Sequence, residues 1–88
     1  MSGWPVIQLR VMRLVGHRTY EVLVAMAALM RDGNEVDAGP AEIGALVGMG
    51  WRQAYRHMRK LEEKGLIVRL GRHWMVNGRV FYRGRLVN

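Results

Sequence analysis

Apolar residues recur along the chain at two different periods, and the change of period divides it into elements. Val22, Leu23, Ala25, Met26, Leu29 and Met30 cover most of a helix circumference between about Arg18 and Met30, the pattern of a helix central to a core. Thr19 is read as its cap. Glu21 in the first turn and Arg31 near the end suit the helix dipole. Asp32-Gly33-Asn34 supplies the stop, and Val36 is a candidate one-rung strand. A second, short helix opens at Gly39-Pro40, where proline costs no hydrogen bond. Ile43, Leu46 and Val47 form its apolar side, and Gly48 ends it.

After Met49-Gly50 a third helix is predicted from about Trp51 to Lys64. Ala54, Met58 and Leu61 stand at spacings of four and three, and Gly65 takes the C′ position. The period then shortens. Leu66 to Leu70 is a strand-length stretch, Gly71-Arg72-His73 a hairpin turn, and Trp74-Met75-Val76 the returning strand, closed by Asn77-Gly78. At the other end, Val6 to Val11 reads as an edge strand or an extended arm behind Pro5. The order helix, helix, turn, helix, hairpin defines a fold that is mainly α with a small β-wing. It is the winged helix-turn-helix plan, with the helix-turn-helix at about 40–64 and the wing at about 66–76.

The 88 residues suit one domain. With no cysteine, neither a disulfide framework nor a thiolate metal site exists. The longest apolar run, Val22 to Met30, is far short of the roughly 20 residues of a membrane span. Met1-Ser2-Gly3-Trp4-Pro5 lacks the regions of a signal peptide, so the expectation is a soluble protein of the cytoplasm, with no membrane partner.

Charge adds a partner to this picture. The formal net charge is +7, and 12 of the 14 basic residues are arginine. Residues 21–50 hold five acidic and one basic side chain, whereas residues 65–88 hold five basic and none acidic. A merely soluble surface explains charge but not this segregation, which fits a polyanion. The polar face of the third helix carries Trp51, Arg52, Gln53, Tyr55, Arg56, Arg59 and Lys60, with no acid until Glu62. Neighbouring ridges bring Arg52, Gln53, Arg56 and Arg59 to one groove, where arginine pairs with guanine and glutamine with adenine. Any one of these arginines can equally clamp a phosphate. Arg69, Arg72 and His73 sit in or beside the wing turn, within reach of backbone or minor groove. Double-stranded DNA is the partner expected, and a homodimer is compatible with it; the N-terminal segment and Val80-Phe81-Tyr82 are candidate dimer surfaces.

Other chemistry finds no support in the residues. His17, His57 and His73 have no ligand spacing, no strand-to-helix phosphate loop is present, and Glu62-Glu63 is a solvated helix end. The seven methionines are core filler. Neither a catalytic site, a cofactor, a metal nor a small-molecule substrate is expected.

The tail Trp74-Met75-Val76-Asn77-Gly78-Arg79-Val80-Phe81-Tyr82-Arg83-Gly84 resembles the segment that follows the wing in RepL-type plasmid replication proteins. Thr19 to Met30 followed by Asn34-Glu35-Val36 is also similar to that family, so the likeness runs from about Val6 to Gly84. Gly78 replaces the family's usual proline, and Gly50 a serine-like cap. The resemblance implies binding to plasmid or phage origin DNA and initiation of replication, without DNA cleavage. A transcriptional repressor of the same fold and a winged helix used only for protein contacts are the competing readings. Iterons at an origin favour the replication reading, a promoter operator the repressor.

Overall fold

Gly16, at φ +91°, turns the chain through a corner that divides the N-terminal third into two helices, α1 (Trp4–Val15) and α2 (His17–Ala28). The computed structural model describes the backbone of residues 4–78, 81–82 and 85–86 and the side chains of residues 9–78. Val6 to Val11 is therefore helix, not strand or arm. Its β-branched residues favour extended chain in isolation. The spacing of four between Val11 and Val15, both buried, lets a helix pack on α2 where a strand finds no neighbour. Pro5 falls in the first turn, where no N–H is missed. Thr19 is not a cap either. It lies inside α2, 3% exposed, because the helix begins two residues earlier, after Gly16.

α2 is the central helix, with Val22, Leu23 and Met26 fully buried. It ends in a tight turn in which the Leu29 and Met30 amides donate to the carbonyls of Met26 and Ala27. A 3₁₀ turn, Asp32–Asn34, then leads into β1 (Glu35–Val36). Asn34 takes φ +62°, and its buried Nδ2 donates to the Val76 carbonyl at 3.1 Å. Asparagine suits both demands, since its short polar side chain tolerates the left-handed region.

α3 (Pro40–Leu46) and α4 (Trp51–Glu63) follow, joined by residues 47–50. β2 (Ile67–Leu70) and β3 (His73–Val76) form a hairpin whose last pair is Leu70 with His73. Its turn is thus the two residues Gly71-Arg72, and His73 belongs to the strand. Gly71 has φ +61°, as the first central position of a type II′ turn requires. β1 pairs antiparallel with β3, Glu35 opposite Met75 and Val36 opposite Trp74, so the sheet order is β1-β3-β2. Beyond it β4 (Phe81–Tyr82) pairs with β5 (Arg85–Leu86). Arg79, Val80, Arg83 and Gly84 of the tail lie outside the described residues.

The described residues are thus mainly helical, four α-helices against a three-stranded antiparallel sheet. One core joins Val15, Leu23, Met26, Ile43, Met58, Leu61, Ile67 and Val76, each less than 2% exposed.

The crossing of α3 and α4 depends on Gly44. A Cβ there would stand 2.5 Å from the Met49 carbonyl oxygen and 3.2 Å from both Ala54 Cβ and the Gly50 carbonyl oxygen. The same residue's own carbonyl accepts from the Val47 and Met49 amides, so the turn wraps around it and cannot easily retreat. Gly44→Ala should cost about 1–3 kcal/mol, despite alanine's better helix propensity. Urea melts of the two proteins check this; unchanged stability would mean the two helices cross farther apart.

Candidate nucleic-acid interface

The α4 sequence places two kinds of residue on opposite sides of one cylinder. Ala54, Met58 and Leu61 are fully buried, while Trp51, Arg52, Gln53, Arg56, Arg59 and Lys60 are exposed. Tyr55 is half-buried on the flank. The arginine-rich side of α4 is therefore the exposed one, and several of its members are held in particular ways. The Arg52 guanidinium lies over the Trp51 ring, 5.3 Å from its centroid. Arg59 has its Nε 3.8 Å from Glu62 Oε1, and a hydrogen bond to Tyr55 holds it even more firmly cationic than an ordinary arginine. Lys60 leans toward the α1–α2 corner, its Nζ 3.9 Å from where a Cβ on Gly16 would stand. Arg52, Gln53 and Arg56 thus form the outward-facing first turns of the helix.

The hairpin carries the second set. Arg72 is exposed at its tip. Arg69 lies over the Trp74 ring at 5.5 Å and its Nε donates to the Gly71 carbonyl at 3.3 Å, so it braces the turn. His73 Nδ1 lies 2.9 Å from Asp37 Oδ1, and Arg31 Nη1 donates to the other oxygen of the same carboxylate at 3.2 Å. His73 is thereby tied to the loop after β1 and stands apart from the tip.

Two basic residues outside the predicted set join the same region. Arg18, at the start of α2, donates through Nη2 to the Val47 carbonyl at 3.3 Å and through Nη1 to Glu21 Oε1 at 2.9 Å. His57 shares a 2.7 Å hydrogen bond between its Nδ1 and the hydroxyl of buried Thr19, tying α4 to α2. The contact spans 38 residues, so nothing local in the sequence announces it.

Partial burial first, then the neighbouring Arg18, Lys60 and Arg56, push His57 below its ordinary pKa of 6.5. The folded state therefore favours the neutral ring, and the unfolded chain binds the proton more readily. This stabilisation is fully present above pH 6.5 and is lost as pH falls through the lower folded value. Thermal melts between about pH 7.5 and 5.5, above the main carboxylate range, should show Tm falling toward acid. His57→Gln should flatten that slope, and an unchanged slope would remove His57 as its source.

Among the described residues no group of histidine, aspartate and glutamate could hold a metal ion, and no helix is long and apolar enough to cross a membrane. No protein family, curated protein or solved structure matches the chain.

Proposed function

We propose that the protein is a winged helix-turn-helix domain that binds double-stranded DNA, with α4 as the helix that enters the major groove and the β2–β3 hairpin as the wing. The observation that carries this reading is the division of α4: three fully buried residues seat it on the core, and the first turns opposite them expose Arg52, Gln53 and Arg56. A helix so presented fits the width of the major groove. Gly44 supports the reading by allowing α3 to cross α4 closely, as a helix that spans the DNA backbone must. Arg72 at the hairpin tip is placed to meet phosphate.

The role is binding rather than catalysis. The tail's resemblance to RepL-type proteins favours plasmid or phage origin DNA, and hence replication or maintenance, over repression at a promoter. A gel shift on duplex DNA tests the binding, with Arg52→Glu/Arg56→Glu as its control. Retardation by the native chain and its loss in the variant are expected. Equal retardation by both, or none by either, overturns the proposal.

A further inference from the structure

Among the described residues two arginines lie over tryptophans, and the two contacts differ in what the ring does. Trp74 is 6% exposed, a core residue that Arg69 covers from outside. Trp51 is 56% exposed and contributes nothing to the core, yet the Arg52 guanidinium lies over it at 5.3 Å. Adjacent residues do not face one another along a helix. The long Arg52 side chain is therefore folded back across the first turn of α4 instead of extending into water. At that distance the ring attracts the cation through its π-face without using the N–H donors.

We infer that Arg52 reads a guanine in the major groove and that Trp51 is its positioning residue, holding the fork in the reading orientation before DNA arrives. The inference rests on the DNA-binding reading above and sharpens it to one base. The fork matches the O6 and N7 acceptors of guanine, and reading helices meet base edges through their N-terminal residues. Arg59 faces Glu62, its Nε 3.8 Å from Oε1. Among the described residues Arg52 has no acidic side chain within ion-pair distance and no core role, and its ordering by the ring reduces the side-chain freedom lost on binding.

The test is selection from a pool of randomised duplexes by the native chain, Arg52→Ala, Trp51→Ala and Trp51→Phe, followed by titration of the selected duplex and of the unselected pool. The native chain should enrich a guanine that Arg52→Ala and Trp51→Ala lose, while Trp51→Phe, which keeps a ring, retains it. On the selected duplex Arg52→Ala should bind about tenfold more weakly, and on the pool nearly as well as the native chain. Replacing that guanine by 7-deazaguanine should weaken the native chain and leave Arg52→Ala unaffected. The inference falls if Arg52→Ala enriches the same guanine, if Trp51→Ala keeps it undiminished, or if Arg52→Ala loses equally on both DNAs, as a phosphate clamp would. It also falls if the native chain binds duplexes without preferring any base, a result that leaves the DNA-binding reading standing. Absence of binding to any duplex overturns both.

Discussion

Met58→Ala should destabilise the fold by about 2–5 kcal/mol, through the lost apolar transfer and the cavity left behind. Met58 is fully buried in the middle of α4, between Ala54 and Leu61, within the core cluster that also contains Leu23 and Met26 of α2 and Ile67 of β2. Few neighbours can relax into the space, because α4 is fixed at one end by the Gly44 crossing and on its flank by the His57–Thr19 hydrogen bond. A chain of this length has about 4–13 kcal/mol of stability in all, so the loss is a large fraction of the total. Each kcal/mol lowers Tm by roughly 4–8 °C at this size, and circular dichroism melts should therefore show a fall of 8 °C or more, about the lower bound of that product. Met58→Leu, which nearly conserves volume, should cost less than about 1.5 kcal/mol. A Met58→Ala protein that melts with the native one would mean that α4 presents a different face to the core.

The two halves of the chain differ in how much of their fold is written in local sequence. α4 was legible because both of its faces use unambiguous residue types. Ala54, Met58 and Leu61 repeat at helical spacing, and arginines fill the other side, so period and polarity agree. The hairpin was legible from Gly71, although the turn proved one residue shorter and moved His73 into β3. α1 was misread because the window Val6 to Val11 is rich in β-branched residues and too short to show a helical period. Only its extension to Val15 reveals the buried pair four residues apart. Gly16 was the overlooked marker, since its positive φ makes the corner that also displaces Thr19 from a cap to the core.

The interface shows the same limit at the level of side chains. Composition identified the basic residues of α4 and the hairpin, but not what restrains each of them. The approach of His73 to Asp37 and that of Arg18 to Val47 both depend on tertiary placement. Gly44 likewise stood unmarked inside a short helix, because its role is set by the backbone of the following turn and not by its own neighbours in sequence.

Association with duplex DNA should weaken steeply as salt rises. If α4 and the hairpin together neutralise about five to eight phosphates, log K should fall against log salt with a slope of roughly −5 to −7, a loss of about 10³–10⁴ in affinity between 50 and 200 mM. Within that total the two elements should fail differently. Arg56 is exposed one turn into α4, where the proposed docking brings a side chain to base edges. Arg56→Ala should cost about 1–3 kcal/mol on a selected duplex and much less on random sequence. Arg72, at the hairpin tip, should meet phosphate, so Arg72→Ala should weaken both DNAs alike and flatten the slope by about one unit. Both side chains face water, and neither change should move Tm. Fluorescence anisotropy isotherms at several salt concentrations, with melts beside them, separate the cases. A slope near zero would mean that the basic half of the chain does not touch DNA, and a winged helix used for protein contacts would then fit better. Early melting of Arg56→Ala with binding intact would show instead that Arg56 supports the fold, and its assignment to the groove would fall.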